Sequence, residues 1–132
     1  MRSPLGTPRP CPCGLLQTYH TCCGRFHAGE SAAPTAELLM RSRFSAFAVG
    51  DGAYLLQTWH PSTRPQHLDL DPEQRWTELE ILGRTGGRML EVEGIVEFRA
   101  HYRAHGRPGT LWERSRFVRE GGCWLYLDAI PR

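Results

Sequence analysis

Lysine is absent from this 132-residue chain: all sixteen basic side chains are arginine, set against fourteen acidic ones for a formal net charge of +2. So balanced a surface does not mark a nucleic-acid binder, which carries a basic stripe or patch. No apolar run approaches the ~20 residues that span a bilayer, and none near the amino terminus resembles a secretory signal. A cytoplasmic protein with no membrane association and no nucleic-acid partner is the expectation. Also missing are internal repeats, low-complexity tracts and the familiar catalytic signatures. There is no Ser-His-Asp order, phosphate loop or paired-carboxylate motif, and Gly83-Arg84-Thr85-Gly86-Gly87 fits a turn better than a phosphate cradle. The length is that of one small domain.

What the chain does contain is cysteine in one place. Four of its five cysteines lie in a short stretch, Cys11-Pro12-Cys13 and, after eight intervening residues, Cys22-Cys23. Two such clips aimed at one point supply the four thiolates of a tetrahedral zinc shell, with sulfur at about 2.3 Å from the ion. Four thiolates around one divalent ion also bring the formal charge of +2 to zero, and a coordinating thiol is deprotonated outright. Disulfides are the weaker reading, because a bridge between adjacent cysteines is strained and a cytosolic cluster is more often a metal site. His20 and His27 lie near enough in sequence to replace one cysteine, and iron or copper(I) suits a thiolate site as well as zinc does. Cys123, alone between Gly122 and Trp124, reads as a small buried core residue.

The order Cys-Pro-Cys-Gly, eight residues, Cys-Cys-Gly resembles the SEC-C motif at the carboxyl end of the SecA translocation motor. Further residues extend the likeness: Tyr19, His27-Ala28-Gly29, Ala33-Pro34-Thr35-Ala36-Glu37, then 39–47 (Leu-Met-Arg-Ser-Arg-Phe-Ser-Ala-Phe) and 58–65 (Thr-Trp-His-Pro-Ser-Thr-Arg-Pro). Together they resemble the YchJ-like family of bacterial proteins over nearly the whole chain. That resemblance implies zinc at Cys11, Cys13, Cys22 and Cys23, and an α+β domain similar to nuclear transport factor two, a cone of helices wrapped by a curved sheet. It brings no assigned activity. The SecA motif carries lysines between its cysteine pairs, whereas this chain has Leu15-Leu16-Gln17-Thr18-Tyr19-His20-Thr21, which detaches the motif from a ribosome or nucleic-acid role.

Three parts follow along the chain: a flexible lead-in at 1–10, the metal knuckle at 11–30, too short to bury a core without its ion, and a main domain at 31–132. Thr35 caps a helix whose apolar face runs through Leu38, Leu39, Met40, Phe44, Phe47 and Val49, and Gly50 closes it. Asp51 caps a second, short helix that Pro61 ends, and Asp71-Pro72-Glu73 starts a further helical turn. Strands come after Trp76: one to a Gly86-Gly87 turn, a long one with Val92, Val96, Phe98, Ala100 and Tyr102 at period two, a turn at 106–109, and a hairpin of 111–119 with 123–130 about Gly121-Gly122. Helices followed by four antiparallel strands make an α+β layout.

If Gly121-Gly122 is a two-residue turn, Glu113, Ser115 and Phe117 share a face with Trp124, Tyr126 and Asp128. That face, closed by Arg43, Trp59 and His60 from the helices, is a candidate small-molecule pocket with His60 or Glu113 as acid or base. The plainer alternative is a structural Arg43–Glu113 ion pair. His67, His101 and His105 read as exposed or edge residues. Two functions result: a structural zinc knuckle presenting Leu15, Leu16 and Tyr19 to a protein partner, or a binding protein or enzyme of isomerase or hydrolase type using the cone.

Overall fold

The computed structural model describes residues 9–131; most of the expected lead-in at 1–10 lies outside them. A 3-10 turn, Tyr19–Thr21, leads into α1 (Cys23–His27), followed by α2 (Ala36–Val49) and α3 (Gly52–Gln57). Four strands come next, β1 (Gln74–Gly86), β2 (Glu93–Ala104), β3 (Arg107–Glu120) and β4 (Cys123–Ala129), paired antiparallel in sequence order. No helix among them is long and apolar enough to cross a membrane.

Local chemistry accounts for the helix ends. The Thr35 hydroxyl accepts from the Leu38 N–H at 3.1 Å and Asp51 accepts from the Tyr54 N–H at 3.1 Å, each satisfying a donor the helix itself leaves orphaned. Gly50 ends α2 in the left-handed region. The second helix stops earlier than Pro61 requires: Thr58 turns its hydroxyl back onto the Tyr54 carbonyl at 2.8 Å, and Trp59 leaves the helix to form a parallel bridge with Tyr126. Asp71-Pro72-Glu73 forms a turn rather than a helix, because the Asp71 carboxylate accepts from the Glu73 N–H at 2.9 Å and β1 begins directly afterwards.

The sheet differs in detail from the sequence reading. β1 runs through Gly83 to Gly86, so that run is mostly strand, and the connection to β2 is a loop over 87–92 that leaves Val92 exposed outside the strand. The following turn is the pair His105-Gly106 rather than 106–109, since Ala104 already faces Arg107. Gly121-Gly122 is the expected two-residue turn: Glu120 pairs with Cys123, and both glycines have positive φ (59° and 81°), the geometry that matches strand twist in a tight hairpin. Cys123 is exposed at the end of this hairpin, which corrects its reading as a core residue.

Bulges curve the sheet and decide which side chains point inward. One between Trp76 and Glu78 resets the alternation, so Trp76, Leu79 and Ile81 all lie opposite the inward set Tyr102, Ala100 and Phe98. Another between Arg116 and Phe117 pairs Phe117 with Tyr126 but Arg116 with Asp128. Asp128 therefore leaves the inner face and chelates the outer Arg116 at 2.6 and 2.7 Å, contrary to its expected place beside Tyr126. The core lies between α2 and the concave side of the sheet, with Leu39, Phe44, Leu55, Val96, Phe98 and Phe117 all buried.

Candidate metal centre and cone cavity

The two cysteine pairs meet beneath α2. Ligand atoms of Cys11, Cys13, Cys22 and Cys23 all lie within 4.8 Å of one another, and each residue is buried. Sulfurs at ~2.3 Å from a tetrahedral ion stand ~3.8 Å apart, and the Cys13–Cys22 sulfur separation is 3.6 Å. All four thiols are free of disulfides. As bare thiols they hold protons unevenly. Cys11 is held far below the usual thiol range because Cys13 and Cys23 hydrogen-bond to it, while burial above all pushes Cys22 up to about 12 and the bond to Cys11 raises Cys23. Such a cluster suits a thiophilic cation, whose charge replaces the shared protons. Four protein ligands would close the shell and leave no open position for a substrate.

Neither histidine joins the sulfurs. His27 bridges the knuckle and the main domain: its Nε2 lies 2.8 Å from the Ser42 carbonyl and its Nδ1 2.5 Å from the Tyr19 hydroxyl. A carbonyl can only accept, so Nε2 carries a proton, and with the ring neutral the Tyr19 hydroxyl donates to Nδ1. His20 is exposed and lies outside the cluster. Close packing seats Tyr19, since a Cβ on Gly24 would meet its carbonyl oxygen at 2.7 Å. From α2, Arg41 donates to the Cys13 carbonyl at 2.6 Å and Ser45 lies 3.5 Å from the Cys11 sulfur. These helix contacts are absent from the sequence reading. Their signal was there as polar residues at positions 41, 42 and 45, whose three-to-four spacing makes a seam along one side of α2.

The second site is a cavity of about 210 Å³ between the helices and the sheet. Met40, Phe44, Phe47, Trp76 and Phe98 supply apolar wall, and Arg43, Trp59, Glu113, Ser115 and Tyr126 supply the polar groups. Leu111, also in the lining, is itself exposed. Five of the six expected pocket residues are thus brought to one cavity. His60 is not. The extended bridge at 59–60 sends consecutive side chains to opposite sides, so Trp59 enters the cavity while His60 contacts Glu120 at 2.9 Å and Ser62 at 2.7 Å.

Arg43 is only 4% exposed. Its Nη1 donates to the Leu55 carbonyl at 2.8 Å and to Thr58 Oγ1 at 2.7 Å, and the guanidinium lies over the rings of Tyr126 and Trp59 at 4.8 and 5.1 Å. Burial lowers it to about 10, so it remains a cation at neutral pH. On β3, one Glu113 oxygen, Oε2, accepts from Ser115 at 2.6 Å and from Tyr126 at 3.1 Å. Burial, followed by the neighbouring Glu113 charge, raises Tyr126 well above the ordinary phenol range and keeps it a donor. Trp59 Nε1 is buried and has no hydrogen-bond partner among the described residues.

The family model for the YchJ middle, NTF2-like domain matches residues 35–129. The chain is 59% identical to a UPF0225 protein of Streptomyces coelicolor, over 90% of this chain and 93% of that one, and 45% identical to one of Cupriavidus pinatubonensis, over 96% and 92%. Two solved structures are similar to it. The SEC-C motif containing protein of Rhodopseudomonas palustris superposes with a TM-score of 0.81 at 33% identity, covering 94% of this chain and 99% of that one. A SEC-C motif containing protein of Psychrobacter arcticus gives 0.75 at 28%, covering 91% and 81%. With the cone and the four-cysteine cluster joined in one molecule as they are here, these matches establish that the chain belongs to the YchJ-like UPF0225 family.

Proposed function

We propose that this chain is a small-molecule-binding protein of the cytoplasm, in which a zinc ion at Cys11, Cys13, Cys22 and Cys23 is structural and the cone cavity is the working site. The observation that carries the reading is Arg43. It is a buried cation that lines a largely apolar cavity and is bonded to the Leu55 carbonyl and the Thr58 hydroxyl rather than to the Glu113 carboxylate lining the same space. Both of its hydrogen bonds leave from one nitrogen, so the remaining N–H donors of a buried charge are left to meet something in the cavity. Reduced thiols fit a cytoplasmic setting, and neither nucleic acid nor a membrane has a part in this reading. Glu113 is the group placed for acid–base work if the bound molecule is also transformed, since His60 faces away from the cavity. A thermal-shift screen of metabolites should find a ligand whose effect is lost in Glu113→Gln; a ligand indifferent to that change, or no ligand, defeats the proposal.

One observation favours a protein partner as a second reading: Leu16, at the tip of the cysteine loop, is fully exposed. It stands alone, because Leu15 and Tyr19 pack inward against the cysteines. Leu16→Ser should abolish capture of a partner while metal content stays constant, and unchanged capture would remove this reading.

A further inference from the structure

We infer that the cone cavity takes a compact, uncharged, cyclic or aromatic molecule carrying both a carbonyl and a hydroxyl. The Arg43–Trp59 end receives the carbonyl and Glu113 of β3 receives the hydroxyl; this rests on the cavity being a binding site at all. The polarity of the two walls sets the assignment. Both side-chain hydrogen bonds of Arg43 leave from Nη1, although a guanidinium has five N–H donors. Trp59 Nε1, just past the end of α3 and beneath the same guanidinium, is buried without a partner among the described residues. The Arg43–Trp59 end of the cavity is therefore rich in unused donors, which call for an acceptor such as a carbonyl oxygen.

The sheet wall is the converse. Ser115 and Tyr126 both donate to Oε2 of Glu113, and Oε1 receives no hydrogen bond among the described residues. A free carboxylate oxygen asks for a donor, and a hydroxyl supplies one. Charge disfavours ions: Arg43 and Glu113, though not paired, give the cavity no net charge, so an anionic or cationic ligand would leave one excess charge among Phe44, Trp76 and Phe98. Size and shape follow from the walls. The volume of about 210 Å³ equals roughly seven waters at ~30 Å³ each, room for a molecule of about ten non-hydrogen atoms. Phe44 and Trp76 meet edge to face at 6.2 Å, and such ring surfaces favour a flat, apolar body.

The probe is 4-hydroxyacetophenone, which joins a ketone and a phenol on one ring. Its comparators are acetophenone, which lacks the hydroxyl, and 4-hydroxybenzoate, which replaces the ketone with a charge. Titration into the ¹⁵N-labelled full chain, followed by indole N–H resonances, should shift the Trp59 signal, identified by its absence in Trp59→Phe. The hydroxyketone should bind about tenfold more tightly than either comparator, the worth of one charge-assisted hydrogen bond. Glu113→Gln should erase its advantage over acetophenone. Trp59→Phe keeps the ring and should weaken both ketones alike. Equal binding of the two ketones, or tightest binding of 4-hydroxybenzoate, overturns the ligand class while leaving a binding cavity in place. No disturbance of any cavity resonance by any probe sinks the binding reading and this inference with it.

Discussion

Arg43 and Glu113 line the same cavity without forming an ion pair. The arginine is committed to the end of α3, where one nitrogen holds the Leu55 carbonyl and the Thr58 hydroxyl, and the glutamate is committed to Ser115 and Tyr126. Each is fixed by its own wall, so the two charges frame the space between helix and sheet instead of closing it.

That commitment makes Arg43 a stability residue as well as a cavity residue. Arg43→Ala leaves a buried carbonyl and hydroxyl short of a donor and opens a void, and should cost about 3–5 kcal/mol in urea unfolding. Arg43→Lys keeps the charge but not the planar stacking over Trp59 and Tyr126, and should cost roughly 1–3 kcal/mol. Equal stability of both variants and the parent would remove this account.

His60 and Glu113 should separate cleanly in ligand binding. Because His60 points to Glu120 and Ser62 outside the cavity, His60→Gln should leave the affinity for any cavity ligand unchanged within a factor of about two, a few tenths of a kcal/mol. A tenfold loss on this change would return His60 to the site.

Metal removal should loosen one part of the molecule. Stripping the ion with a chelator, or Cys11→Ser or Cys22→Ser, should abolish bound zinc and amide-exchange protection over residues 9–30 while the sheet keeps its own, since a knuckle this short has little else to hold it. Cys123→Ser, at the exposed hairpin end, should leave the zinc content unchanged. Full zinc retention in both Cys11→Ser and Cys22→Ser would refute the four-cysteine assignment.

His27 gives a separate handle on the docked knuckle. His27→Phe removes both the Ser42 and Tyr19 contacts, so it should retain zinc yet lower stability by about 1–2 kcal/mol, the worth of one or two net hydrogen bonds. Loss of zinc in this variant, by elemental analysis, would instead make His27 a ligand.

Alkaline titration should reveal Tyr54. Burial pushes its phenol from 10 up to about 12. Between those values the folded chain holds a proton that the unfolded chain has released, so stability falls as pH rises through this window and is unaffected below it. Tyr54→Phe should make the fall measured by urea unfolding at stepped pH shallower, the remainder coming from the likewise raised Tyr126. An unchanged slope would show that Tyr54 titrates as an ordinary phenol.

The helix caps Thr35 and Asp51, the Gly121-Gly122 turn and the cysteine pairs could be read from the chain because each depends on neighbours a few residues away. The inward set of β2 was equally legible, since Val96, Phe98 and Ala100 alternate without interruption. Where a bulge intervenes the alternation loses its phase, and this is why Asp128 was placed on the wrong face. Cys123 misled for a similar reason: its apolar neighbours suggest a core, but a residue next to a tight turn stands at the sheet's end.

By itself, then, the sequence determined the local features: capped helices, a glycine hairpin, and four thiols spaced to meet at one point. Backbone dihedrals and side-chain reach act over a few residues and leave their mark in residue order. Tertiary structure alone decided that His27 fastens the knuckle to α2, that Trp59 enters the cavity while His60 leaves it, and that Arg43 and Glu113 stay apart. The Trp59–His60 outcome depends on how a single bridge between Trp59 and Tyr126 sets the register of the chain against the sheet, and a shift of one residue there would exchange the two side chains; the other two depend on contacts between groups far apart in the chain.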